Sequence, residues 1–236
     1  PMHVTLEPAI HYWGTPVVLV STLNEDGSPN VAPMSSAWWL GWSCMLGLDA
    51  SSQTTLNLRR QRECVLNLAS EDDASRVDRL ALTTGASSIP IHKKLLGYRH
   101  VADKLGHAGL SALASEAVAP PRVAECQVHL EAVVERIDSF ARNDPRMAVP
   151  ACAIEVRIVR AHVAEELVVP GTERIDPDKW RPLVMSFREL RTLGPRARES
   201  RLARGPEEAY APWKRGGLAK LAGKALGAWS RFKYEP

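Results

Sequence analysis

Residues 16 to 68, PVVLVSTLNEDGSPNVAPMSSAWWLGWSCMLGLDASSQTTLNLRRQRECVLNL, decide the architecture. Val17 to Thr22 is β-branched and reads as a strand, and Asn24-Glu25-Asp26-Gly27 follows as a turn in which Gly27 can take a positive φ. The first two strands are therefore expected to pair as an antiparallel hairpin. Cys44 to Leu48 and Glu63 to Leu68 predict two further strands, and between them Thr54 to Arg62 reads as a helix. Ser51, Ser52, Gln53 and Thr54 crowd hydroxyl, amide and backbone donors at its start. The unpaired N–H groups of a first helical turn and the helix dipole both favour an anion, so this corner is a natural phosphate cradle.

Outward from this unit, Ala124 to Ile137 and Ala151 to Val163 predict two long strands flanking the loop SFARNDPRMAVP, and Ala74 to Thr83 predicts a second helix ended by Thr84-Gly85. Residues 83 to 121 mix glycines, cations and polar residues without sustained periodicity and read as a long excursion with short helices, a type of segment that often carries function. Strand signals fade beyond Val169. Residues 2 to 194 are expected to form one domain, and the basic, Gly- and Pro-containing 195 to 236 an extension that docks or is partly disordered. Many short strands closed by turns predict a mainly β fold, an antiparallel barrel with peripheral helices and a C-terminal extension. No GxGxxG follows a strand, which removes the usual dinucleotide-binding signal.

The 236 residues are 45% hydrophobic, enough for one sizeable core. The 30 basic and 27 acidic residues leave a net charge of +3, a mixed solvated surface that does not call for nucleic acid. No apolar run approaches the roughly 18 residues of a membrane span, and the N-terminus lacks the basic-then-apolar pattern of a signal peptide, so a cytoplasmic protein is expected. Cys44, Cys64, Cys126 and Cys152 form no CxxC pair and read as buried, inert thiols, with no metal implied.

The segments PVVLVSTLNEDGSPNVAPMSS, SSQTTLNLRR followed by ECVLNL, GYRHVADKLGHAGL, RVAECQVHLEAVV, IEVRIVRAHV and IDPDKWRPLVMSF, in this order, resemble the flavin reductase-like family. These are FMN-binding split barrels that include flavoredoxins and the reductase partners of two-component monooxygenases. The resemblance covers roughly residues 10 to 194 and implies an FMN-binding split β-barrel with FMN or FAD as cofactor and NAD(P)H as co-substrate, working as a homodimer, with a monooxygenase as a candidate partner. It implies that Asn30, Ala32, Pro33, Met34, Ser35 and Ser36 line the isoalloxazine and ribityl chain, and that Ser51, Ser52, Gln53, Thr54 and Asn57 form the phosphate loop. Many relatives carry a cation where this chain has Gln53, so Arg59, Arg60 or a lysine of the Lys93-Lys94 excursion would have to compensate. His162 falls where similar proteins place a histidine near the reactive face of the flavin, to orient a nicotinamide carboxamide or a substrate carbonyl, and Lys104, in a DKL motif that differs from the aromatic ending of relatives, is a candidate to reach the flavin or substrate.

Each feature also has a plainer reading. His162 serves equally as a hydrogen-bonded strand end, and Lys104 as an exposed lysine. Trp38, Trp39 and Trp42 read as core or subunit interface rather than a flavin platform. His92, His100 and His107 have no compact metal-ligand spacing. Arg174, Arg181, Arg188 and Arg191 either select an anionic substrate or are surface charge. Leu218, Leu221, Ala222, Ala225, Leu226 and Trp229 lie at helical spacing and suggest a docking helix. Three functions stay open at this level: an oxidoreductase passing hydride from NAD(P)H to FMN, a flavin-binding electron carrier, and a barrel recruited to a biosynthetic reaction.

Overall fold

The computed structural model describes residues 1–147 and 149–204. The chain divides into two units, 1–194 and 195–236. Of the second, residues 195–204 are described, with a 3-10 turn at Arg201–Arg204; the expected docking helix and any disorder of the tail lie outside the described residues.

In the first unit, strands β1 (Trp13–Pro16), β2 (Val18–Leu23), β3 (Pro29–Met34), β4 (Ala37–Leu40) and β5 (Ser43–Asp49) precede helix α1 (Gln53–Gln61) and strand β6 (Glu63–Leu68). A 3-10 turn at Glu71–Asp73 leads into α2 (Ala74–Leu80). The excursion then carries β7 (Thr83–Thr84), α3 (Ile91–Leu95), β8 (Arg99–His100), α4 (Lys104–Ala108) and β9 (Ala112–Leu113). After β10 (Arg122–Val123) come the long β11 (Val128–Phe140) and β12 (Ala151–Val163), then β13 (Leu183–Ser186) and β14 (Glu189–Thr192).

Seven strands pair antiparallel in the order β3-β2-β6-β11-β12-β5-β4. The two edges, β3 and β4, are joined only by Ser35 and Ser36. Three Cα steps reach at most about 11 Å, so the sheet has to come round until its edges nearly meet. This is a barrel split between β3 and β4. Pro29 and Pro33 suit an edge strand, where a missing N–H breaks no central ladder.

Alternation along β2 sets two cores. Val18 and Val20 point into the barrel with Cys44, Leu46, Cys64, Leu66, Ile154 and Val156, and Leu58 from α1 joins them. Val17 and Leu19 point outward, where Val77 and Leu80 of α2, Leu105 and Ala108 of α4, and Leu183 of β13 cover them. A strand buried on both faces reads as a continuous apolar run, as VVLV does. All four cysteines are buried and free, and burial pushes the Cys44 thiol up to about 12, so they are packing groups.

The structure departs from the sequence reading in three places. The strand expected from Ala124 starts at Val128, because Cys126 turns back to donate its N–H to the Val123 carbonyl at 3.1 Å. The second helix stops at Leu80 rather than Thr83, since Leu82 takes φ 53° and Thr83 enters β7. The fading strand signal beyond Val169 hid β13 and β14, which with β1 make a second antiparallel sheet in the order β1-β13-β14. Their connecting turn is Phe187-Arg188, without the Gly or Asn that announces a hairpin.

Candidate functional site

The split, the start of α1 and the excursion meet around a cavity of about 490 Å³, within the range of small-molecule and cofactor sites. Asn30, Ala32, Pro33, Met34, Ser35 and Ser36 line one wall and Ser52, Gln53 and Thr54 another, with Lys104 also facing it. The structure thus brings ten of the sequence-predicted residues together. β3 is an edge strand, so one row of its backbone donors and acceptors is turned away from β2 and is free for a ligand.

Helix α1 begins as an anion site should. Ser52 is the N-cap, its Oγ accepting the Thr55 N–H at 3.1 Å, and the Ser52 carbonyl accepts the Leu56 N–H. Thr55 Oγ1 donates to the Asp49 carbonyl. The N–H groups of Gln53 and Thr54 find no acceptor among the described residues. Both residues line the cavity at the positive end of the helix dipole.

Asn30 is the inner corner. Its Nδ2 donates to Thr22 Oγ1 and Thr54 Oγ1, each at 3.2 Å, while its buried Oδ1 has no partner. A Cβ on Gly85 would sit 2.5 Å from that oxygen and 3.2 Å from Gln53 Cγ. Gly85→Ala is therefore expected to displace Asn30, to cost about 1–2 kcal/mol of stability, and to weaken any ligand held at this corner. Melting curves and ligand titration on the variant check it.

Two lysines, Lys104 and Lys93, line the cavity. Lys104 is only 2% exposed and has no carboxylate or hydrogen-bond acceptor among the described residues; burial, aided by the neighbouring Lys93 charge, pushes its ammonium down to about 8. The reading of Lys104 as an exposed lysine is thereby corrected. Lys93 lies 3.3 Å from Asp49 Oδ2, and His92 Nε2 meets the same oxygen at 3.0 Å. Burial alone would raise the Asp49 carboxyl, but the donors Ser51 and His92 together with the Lys93 charge bring it to about 2. Asp49 thus fastens α3 of the excursion to the chain just ahead of α1. Arg59 and Arg60 do not reach the cavity: Arg59 Nη2 points at Cys152 Sγ and Arg60 donates to Asn57 and the Leu23 carbonyl.

Three predicted residues stand elsewhere. Ser51 does not line the cavity; its N–H and Oγ are both spent on Asp49 Oδ1 at 2.7 Å. Asn57 is fully buried behind the wall, donating to Thr22 Oγ1 and Asn24 Oδ1 and accepting from Gln53 Nε2, so it braces Gln53 from outside the cavity. His162 also lies off the cavity. It bonds Glu131 Oε1 at 2.7 Å, and the fully buried Glu131 carboxylate accepts the N–H groups of Glu116 and Ala117 as well. This cluster straps the loop after β9 onto β11 and corresponds to the structural alternative for His162. None of Trp38, Trp39 and Trp42 lines the cavity, and no group of three metal-ligating side chains occurs among the described residues.

Sequence reasoning missed Asp49, Tyr98, Asp78 and the Thr83–Gly85 segment, all of which line the site, whereas Lys93 and Arg188, which it named as a compensating cation and a candidate anion selector, line it too. The KK pair within a glycine-rich excursion was the available signal for Lys93. Of the four arginines read as anion selectors or surface charge, Arg188 lines the cavity and Arg174, Arg181 and Arg191 do not.

A split barrel with a small-residue edge, a helix start and a buried unpaired cation on one cavity defines a pocket suited to an anionic, phosphate-bearing ligand. Residues 10–194 match the family described as "Flavin reductase like domain", and the chain belongs to that family. Membership carries the coarse assignment, a flavin-linked oxidoreductase. The chain is similar to the Bacillus subtilis (strain 168) protein "Uncharacterized protein YdfE", with 38% identity over 189 residues, 80% of this chain and 88% of that one. Among solved structures it resembles the flavoredoxin of Desulfovibrio vulgaris (Miyazaki F), with a TM-score of 0.68 and 18% identity over 86% of this chain and 100% of the other. It also resembles nitrilotriacetate monooxygenase component B from Bacillus cereus, with a TM-score of 0.66 and 19% identity over 84% and 100%. At these identities the structural likenesses establish the fold.

Proposed function

We propose that the chain is an FMN-dependent reductase that passes hydride from NAD(P)H to flavin held in the cavity between β3 and the start of α1. The observation that carries this reading is the pairing of a buried, unpartnered Lys104 with the two free N–H groups at the start of α1. A dianionic phosphate would satisfy both, while a neutral ligand would leave Lys104 uncompensated. The orphan Asn30 Oδ1 and the free edge of β3 offer the acceptors and donors that a ribityl chain and a flavin ring need.

When bound, the flavin supplies the redox chemistry. The protein binds the phosphate through Lys104, Gln53 and Thr54, orients the ring against Pro33 to Ser36, and shields one side with the excursion that Asp49 holds in place. Nothing in this arrangement needs His162. The four buried free thiols suit a reducing compartment, for which the cytoplasm is our placement. We further propose a homodimer, supported by the exposed Trp38 and Leu40 on edge strand β4, with a monooxygenase as the candidate recipient of reduced flavin.

The absorption spectrum of the purified protein, taken before and after FMN addition and desalting, tests the cofactor. Stopped-flow mixing of the loaded protein with NADH and with NADPH tests the donor. A retained flavin band bleached rapidly by either nicotinamide is the expected result. Failure to take up FMN overturns the reading; uptake without bleaching assigns an electron carrier instead.

A further inference from the structure

Strands β13 and β14 are joined by two residues only, Phe187 and Arg188, at φ 48° and 72°. Both φ values are positive, as in the tight hairpin turns that select Asn-Gly or Gly-Gly, because side chains with a Cβ disfavour the left-handed region. A bulky aromatic and an arginine there are held against their preference, and such outliers persist where the surroundings fix them and the site uses them. The surroundings do fix them. Phe187 donates its N–H to the Tyr12 carbonyl at 2.8 Å, and its ring meets Trp13 edge-on with centroids 4.6 Å apart.

The turn places Arg188 on the cavity, where it has no acceptor or carboxylate partner among the described residues. Two unpaired cations therefore face one cavity, Lys104 buried and Arg188 exposed. The flavin phosphate accounts for the first. Nothing yet accounts for the second, while Phe187, its neighbour in the turn just outside the cavity, and Trp13, which packs on Phe187, stay 45% and 68% exposed. A guanidinium fork next to exposed aromatic surface fits a planar ligand with an anionic group, whose phosphate or carboxylate it can hold bidentately.

We propose that Arg188, with Phe187 and Trp13, forms an outer subsite for an aromatic, anion-bearing co-substrate. The inference rests on the flavin reading above. Two sources share this chemistry, the phosphates of a nicotinamide dinucleotide and the carboxylate of an organic acceptor.

The test uses the full-length, FMN-loaded protein and its Arg188→Gly variant. Titration with NAD⁺, NADP⁺, benzoate and uncharged nicotinamide is followed by the perturbation of the flavin absorption band. Glycine accepts φ 72° freely, so the variant should melt at or above the wild-type temperature and take up FMN equally well. Affinity for the anionic probes should fall about tenfold, the usual worth of one charged hydrogen bond, and affinity for nicotinamide should hold. Loss confined to the dinucleotides assigns their phosphates; loss confined to benzoate assigns an organic carboxylate. Equal affinities of variant and wild type for every probe, or an equal loss for neutral nicotinamide, overturn the inference. A wild-type protein that takes up no FMN would instead overturn the underlying reading, before any comparison at Arg188.

Discussion

Lys104→Met is expected to make the FMN-free protein more stable and to weaken FMN binding about a hundredfold. The two effects have one cause. Burial first, and the charge of Lys93 second, lower the Lys104 ammonium from 10.5 to about 8. At pH 7 the folded apoprotein carries a cation in a place that resists it, at a cost of about 3 kcal/mol by linkage. Methionine keeps the apolar stem and removes the charge, so the apoprotein should melt several degrees higher. An anionic phosphate in the cavity offsets the same cost in the wild type, and the variant loses that gain.

The pH dependence follows with a definite sign. The folded value lies below the unfolded one, so between about pH 8 and 10.5 the unfolded chain holds the proton more often. Raising the pH through this window should therefore stabilise the wild-type apoprotein relative to Lys104→Met, and the gap between their melting temperatures should narrow. Thermal melts at pH 7 and 9.5, with and without FMN, and fluorescence titration at pH 7 measure all three quantities. Wild-type FMN affinity in the variant would remove Lys104 from the phosphate site.

Glu131→Ala should produce the largest loss of stability, about 3 kcal/mol, and leave FMN affinity unchanged. The carboxylate is fully buried and accepts three hydrogen bonds, from the Glu116 and Ala117 N–H groups and from His162 Nε2. Removing it strands those donors and opens a cavity on β11. A melting temperature lower by roughly 6–12 °C is expected for a domain of this size. Burial pushes the Glu131 carboxyl up, but its donors outweigh burial and hold it below 4.5. Its stabilisation is thus complete above that pH and is lost as the pH falls through the folded value. The gap between Glu131→Ala and the wild type should therefore close in acid. If the variant also lost FMN, the site would have to extend to His162, and the structural role given to that residue would fall.

Much of the barrel was legible because its signals are local. VVLV with NEDG marks a hairpin, and ECVLNL marks a strand buried on both faces. Ser52 announces a helix cap within a three-residue reach. The same locality made the helix start that lines the cavity readable from SSQTT, apart from Ser51, whose donors turn back to Asp49 two residues earlier. The β13–β14 hairpin was missed because four-residue strands carry little periodicity and Phe187-Arg188 is no turn signature.

By itself, the sequence determined the strand alternation, the hairpin, the helix start and the small-residue edge, since each depends on residues within a few positions of one another. Only the tertiary structure decided which charges meet. Asp49 receives His92 and Lys93 across more than forty positions, Lys104 is buried rather than solvated, Arg188 reaches the cavity from the far end of the domain, and His162 turns to Glu131 instead of the site. Electrostatic energies depend on distance and burial in space, and neither is written in the spacing of residues along the chain.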